Sequence, residues 1–432
     1  MSNHVFAPGT FTWALGIEDT CVYPGDGPAL DEHALTQHDT NWAADLNLAA
    51  DLGATAIRYG ASWPLVHLAP GEFAWAELDK VVDHAAGLGL SIVADLVHYG
   101  CPTWLARSFA DPGFPGALEE FAGAFAAHFR GRIDHITPLN EPVTTASFSG
   151  LRGVWPPYGR GWADWVTVTL NIAEAVCAAQ RAVHEANPDA VVVHVEAALL
   201  YETDLPELDS RAEHLTRLAL LPLDLVTGRV LAGHPLHGWL VEHGATPDRL
   251  RALAQRPARL DVLGVNYYPD LSPRRLVLHD GAPAQVAVDR GAAGLARLLT
   301  AMAGYGLPLA ITETSVEGDD DVRSAWLREA SGCAERLRSG GLDLRGLTWW
   351  PLMDFVDWSF TSGGHSVEEF LVPDVATIEE RYTVQASLGD PKDGVEPFLR
   401  RMGVVRLDVR GTELRRVPTA AADVFRALST NG

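Results

Sequence analysis

A chain of 432 residues, 47% hydrophobic and 21% charged, has the composition of a globular protein long enough for two average domains or one large α/β barrel. Its 33 basic against 56 acidic residues leave a formal charge of −23, dispersed along the chain, which argues against nucleic acid or an anionic membrane surface as partner. Four scattered cysteines (Cys21, Cys101, Cys177, Cys333) argue against structural zinc and a disulfide framework. With no basic-then-apolar leader and no apolar run of spanning length, a cytoplasmic location is expected.

In chain order, short β-rich runs alternate with amphipathic stretches. Strands are expected at FTWALGIE (11–18), TAIRYGASW (55–63), SIVADLVHYG (91–100), HITPLNEP (135–142), VVVHVEAAL (191–199), LDVLGVNYY (260–268), PLAITETS (308–315) and LRGLTWWPLMD (344–354). Their inner portions are near-continuous apolar runs, as in strands covered on both faces. Helices are predicted at WAELDKVVDHAAGLG (75–89), ALEEFAGAFAAHF (117–129) and DDVRSAWLREASGCAERLRSGG (320–341). In the second, Leu118, Phe121, Ala122, Phe125 and Phe129 recur at helical spacing. Parallel strands joined by helical crossovers, eight times over, predict a single (β/α)8 barrel domain across residues 1–432. An open doubly wound sheet has less support, because no GxGxxG follows the first strand. Extra length gathers at 269–307 and 355–416, after strands, where a barrel carries its chemistry.

The C-terminal strand ends, which line a barrel's mouth, read Glu18, Arg58, His98, Asn140 with Glu141, Glu196, Asn266 with Tyr268, Glu313, and Trp350 with Asp354. Singly, each has a structural explanation: Glu196 as a paired carboxylate, His98 as a core histidine. Together they put amides, carboxylates, one arginine and aromatics on one rim. Glu141 and Glu313, ending the fourth and seventh strands, stand nearly opposite. Paired carboxyls flanking a cleft are the apparatus of glycoside hydrolysis, one as nucleophile or base and the other as acid. Arg58 could hold the nucleophile ionised, Asn140 could bond a sugar hydroxyl, and Trp350 offers a flat face to a pyranose.

At these residues the chain resembles the family 1 glycoside hydrolases, retaining β-glycosidases on a (β/α)8 barrel. TPLNEP (137–142) is similar to that family's acid/base motif, which implies Glu141 as acid/base and Asn140 on the sugar 2-hydroxyl. ITETS (311–315) resembles the nucleophile motif and implies Glu313 in that role. IRYGASWP (57–64) is similar to the arginine strand, with Arg58 beside the nucleophile, and LVHYGCPTWL (96–105) to the strand whose histidine, here His98, binds a sugar hydroxyl. LGVNYY (263–268) implies Asn266 as a further contact and Tyr268 as a hydrogen-bond donor to the nucleophile. WPLMDFVDW (350–358) resembles the segment that supplies the Trp350 platform and distal contacts from Asp357 and Trp358. RMGVVRLDV (401–409) is similar to the motif before the final helix, so the resemblance covers nearly the whole chain.

There are departures. The family usually has glutamine at Gly16, glutamate at Asp357, tryptophan at Tyr99, and asparagine and glycine at Thr314 and Ser315. An unpaired hydroxyl costs roughly 1–3 kcal/mol of discrimination. The first two changes fall on the side of the glycone bearing its 3-, 4- and 6-positions, which implies a glycone other than plain glucose or relaxed recognition there.

The expected substrate is a small-molecule β-glycoside or oligosaccharide, with no metal or cofactor. A Schiff-base aldolase would need an inward lysine, and the chain has only Lys80 on the second helix and Lys392 in a late loop. A metal-dependent hydrolase would want an HxH strand, whereas His33 and His38 lie on an early loop. A transglycosidase would use the same residues as a hydrolase, and a non-catalytic sugar binder could keep the platform without turnover. Oligomeric state is not legible.

Overall fold

Eight parallel strands close into a barrel in the computed structural model, which describes residues 5–24, 27–279, 281–362 and 388–431. They are β1 (Thr12–Gly16), β2 (Ala56–Gly60), β3 (Ser91–Asp95), β4 (His135–Thr137), β5 (Val191–Ala197), β6 (Val262–Asn266), β7 (Leu309–Thr314) and β8 (Leu344–Trp349). Each pairs with its sequence neighbours and β8 pairs with β1, so every predicted run supplies one stave.

A long helix follows each strand: α1 (His38–Asp51), α2 (Ala76–Gly87), α3 (Phe114–His128), α4 (Trp162–Ala186), α5 (Asp209–Val226), α6 (Gly291–Met302), α7 (Asp320–Ser339) and α8 (Ala420–Asn431). In α3 the buried stripe is Phe114, Ala117, Leu118, Phe121, Ala122, Phe125 and Ala126, the apolar spacing visible in the sequence. Among the described residues no helix is long and apolar enough to cross a membrane.

The core has two layers. Outward residues such as Ile57, Ile92, Ile136, Leu263, Ile311 and Leu347 are buried against the helices. Inside, the narrow ring is filled by Ala14, Ala56, Val93, Val193, Val195, Val262 and Ala310, packed with Val5 and Phe6. Alternate residues of a strand share a face, so two steps beyond Ala56, Val93 and Ala310 come Arg58, Asp95 and Thr312. Small apolar groups thus give way to polar ones along the barrel axis toward the C-terminal face.

The segment 269–307 forms a hairpin (Pro273–His279 with Ala282–Ala287) that joins Leu200–Thr203 in a three-stranded sheet, and then α6. Of the tract 355–416, residues 363–387 lie outside the described residues. Its described parts pair Phe355–Val356 with Leu399–Arg400 and Val405–Arg410 with Glu413–Pro418.

Candidate active site

Two local departures from regular strand geometry aim the carboxyls inward. The fourth strand stops at Thr137, earlier than its sequence predicts, because Pro138 has no N–H for the ladder. The chain is caught again two residues later. Asn140 N–H donates to Val97 O at 2.9 Å and Glu141 N–H to Val195 O at 3.1 Å, binding the pair to both neighbouring strands. Glu141 then turns left-handed (φ 45°) as Pro142 begins a short helix. On β7 the register against β6 slips, pairing Val265 with Ile311 but Asn266 with Glu313. One extra residue, Thr312, therefore separates the two pairs on β7, and this bulge brings Glu313 to the inner face that Thr312 would otherwise hold alone.

The two carboxyls have different partners. Glu313 is ion-paired with Arg58 Nη1 through Oε1, and Oε2 accepts from Tyr268 Oη at 2.6 Å. Among the described residues Glu141 meets neutral donors, with Asn266 Nδ2 at 2.9 Å on Oε1 and Tyr99 Oη at 2.7 Å on Oε2. All six side chains are buried. Burial, and then the charge of Glu313, push the Glu141 carboxyl up to about 7, against the pull of Tyr99, Asn266 and Thr144. Burial raises Glu313 as well, with Arg58, His98 and Tyr268 opposing. Because Arg58 bonds to Glu313 and not to Glu141, a single proton shared between them belongs on Glu141.

Arg58 also orders the amides. Its Nη2 donates to Asn140 Oδ1 at 2.7 Å and pairs with Asp95 Oδ2 at 2.7 Å. A guanidinium can only donate, so Asn140 must turn its NH2 the other way, toward Tyr99 Oη at 2.9 Å and His98 Nε2 at 3.1 Å. That contact asks His98 to keep a lone pair on Nε2 and its proton on Nδ1, which lies 2.6 Å from Asp19 Oδ1. Burial opposes a second proton on the ring, but Asp19, Asp95 and Glu18 outweigh it and raise the imidazole well above its ordinary range, while the Asn140 NH2 facing Nε2 opposes that proton. Burial also carries Asp19 up to about 7, with His98 pulling it back. Asp19, Asp95 and His98 place ligand atoms within 4.8 Å of one another; the imidazole engages Asp19 Oδ1 and Arg58 engages Asp95 Oδ2, while Asp19 Oδ2 and Asp95 Oδ1 have no hydrogen-bond partner among the described residues.

Trp350 stands at the β1 side of the mouth. Its ring is 4° from parallel to His98 at 5.4 Å, Arg58 Cζ lies 4.7 Å from its centroid, and Nε1 donates to Glu18 Oε2 at 2.8 Å. The indole is 2% exposed and rests on Gly16, where an added Cβ would come within 1.9 Å of Cε3. Gly60 plays the same part for Asp19, whose Oδ2 would be 2.3 Å from a Cβ there. Asp357 pairs with Arg400 at 2.9 Å, and Trp358 packs edge-on to Tyr99 at 5.4 Å.

Arg58, His98, Asn140, Glu141, Asn266, Tyr268, Glu313 and Trp350 thus form one connected set, with Trp358 beside it and Asp357 on the neighbouring arginine. Two rim residues do not join. Glu196 bonds to His194 at 2.8 Å, and Asp354 is taken by Arg401 and the backbone N–H groups of Gly403 and Leu407. Sequence reasoning missed Asp19, Asp95 and Thr312 and gave Tyr99 no role. Asp95 carried the signal that revealed Glu141, a carboxylate at the end of an apolar run. Asp19 is invisible without Gly60, because the space it uses belongs to another strand.

Residues 29–225 match the family described as glycosyl hydrolase family 1. A bifunctional β-D-glucosidase/β-D-fucosidase from Bifidobacterium breve is 26% identical over 82% of this chain and 90% of its own length. A β-glucosidase from Agrobacterium sp. (strain ATCC 21400) is 25% identical over 74% and 77%. The family 1 β-glucosidase of Thermotoga maritima has the same fold, with a TM-score of 0.77 at 19% identity and 98% coverage of both chains. Its complex with isofagomine lactam superposes with a TM-score of 0.76 at 17% identity and 98% coverage of both. With the predicted barrel found and residues 29–225 matched by an independent family model, the chain is similar to glycosyl hydrolase family 1 and is a glycoside hydrolase.

Proposed function

We propose that the protein is a retaining β-glycosidase in which Glu313 is the nucleophile and Glu141 the acid/base. The observation that carries this reading is the unequal partnering of two buried carboxyls: Arg58 and Tyr268 on Glu313, neutral donors on Glu141. Electrostatics of this kind separate an ionised nucleophile from a protonated acid. A β-glycoside binds with its terminal sugar bounded by Trp350 and its 2-hydroxyl near Asn140. Glu313 attacks the anomeric carbon as Glu141 gives its proton to the departing oxygen. The covalent glycosyl-enzyme is then opened by water that Glu141, now a base, deprotonates.

The glycone is not restricted to glucose. Gly16 offers no side chain to the sugar, so a glycone with fewer hydroxyls to satisfy loses less here than in a site built to bond each one. The name of the Bifidobacterium relative, which covers glucosides and the 6-deoxy sugar fucose, favours the same choice. A panel of nitrophenyl β-glycosides (glucose, galactose, fucose, glucuronic acid) followed by stopped flow tests both points. A burst of aglycone on at least one glycone, abolished in Glu313→Ala, is expected; turnover that survives in Glu313→Ala would refute the assignment.

A further inference from the structure

Tyr99 lies where strand β3 leaves the barrel, and its backbone is left-handed (φ 90°), a conformation costly for a bulky residue. That turn sends the ring over the mouth, between Trp155 (5.0 Å) and Trp358 (5.4 Å), and brings its hydroxyl to Glu141. The single hydroxyl proton has one acceptor. Asn140 Nδ2 donates to Tyr99 Oη, and the direction of that bond is fixed by Arg58 on Asn140 Oδ1, so the Tyr99 proton goes to Glu141 Oε2. A chain of donors therefore runs from Arg58, which holds Glu313, through Asn140 and Tyr99 to Glu141. Among the described residues, the other charged or titratable groups around this point are Glu313 from β7, Glu18 after β1, His98 after β3 and Tyr268 after β6.

We propose that Tyr99 is a positioning residue for Glu141, pinning one carboxyl oxygen and stabilising the carboxylate that must act as base when the glycosyl-enzyme is hydrolysed. The inference rests on the acid/base role given to Glu141 above and adds a residue that acts only through it. An unpartnered, buried Glu141 would hold its proton too tightly for the second half of the cycle. Asn266 supplies a donor on Oε1, and Tyr99 supplies the one on Oε2. The bond favours the charged form, so removing it raises the pKa of Glu141.

Carbon NMR of the chain with carboxyl-labelled glutamate reads this directly, the Glu141 signal being assigned by its loss in Glu141→Gln. Tyr99→Phe keeps the ring between Trp155 and Trp358 and leaves Asn140 its contact with His98. Its Glu141 midpoint is expected to rise by about one pH unit, the size of one hydrogen bond to a charged group. On a nitrophenyl glycoside the burst should persist while steady-state kcat and KM fall together, because the intermediate accumulates. Tyr99→Trp, whose indole N–H is again a donor, is expected to place the midpoint between those of Tyr99→Phe and the parent chain, and it carries the test if Tyr99→Phe does not fold. A midpoint that stays put or falls in Tyr99→Phe overturns the role of Tyr99 with the function intact. Absence of turnover by the parent chain overturns the functional reading and the catalytic meaning of the bond, while the titration still judges the bond itself.

Discussion

The two sides of the barrel mouth are built differently. On the side of β4, β6 and β7, the carboxyl pair and its amides are held by side-chain hydrogen bonds whose directions Arg58 fixes. On the side of β1, β2 and β8, the wall is made by steric exchange, with Gly16 vacating space for Trp350 and Gly60 for Asp19. The first arrangement tolerates little change, because each donor answers to the next. The second can be rebuilt in pairs, a glycine on one strand with a larger group from another, without touching the acids. The two walls can therefore diverge separately on one barrel.

The largest effect belongs to the hydrogen-bonded side. Glu141→Gln keeps the shape and removes the proton, so kcat/KM for an alkyl glycoside is expected to fall by roughly 10²–10⁴-fold. The loss for an activated nitrophenyl glycoside, whose leaving group needs little protonation, should be much smaller; equal losses on both substrates would erase the distinction between acid/base and nucleophile. On the steric side the expected effects are smaller and concern stability. Gly16→Ala drives a methyl group into the Trp350 ring and is expected to cost about 1–3 kcal/mol, read from denaturant unfolding. In a Trp350→Leu background most of that cost should vanish. If the two substitutions proved additive, the pairing of Gly16 with Trp350 would be wrong.

Much of this was legible in the sequence. The eight apolar runs became the eight staves because buried parallel strands leave a period-free apolar signature and a crossover helix after each. The family resemblance came from the same strand ends, and Glu141, Glu313, Arg58 and Tyr268 meet as the motifs imply. What stayed hidden depends on contacts across strands. The bulge at Thr312 arises from pairing between β6 and β7, and no single run encodes it. Asp19 reaches His98 only because Gly60, on another strand, lacks a side chain. Tyr99 stood out in sequence only as a departure from the usual tryptophan, since its left-handed backbone and its acceptor are both set in three dimensions.

If Glu313 takes the anomeric carbon while Glu141 moves the proton on each oxygen, the configuration of the first-formed product reports it most directly. Proton NMR of a β-glycoside during its first turnovers should show the free sugar appear as the β-anomer, drifting to the mutarotation equilibrium only later. Initial release of the α-anomer would mean a single displacement by water and would contradict the covalent intermediate on Glu313.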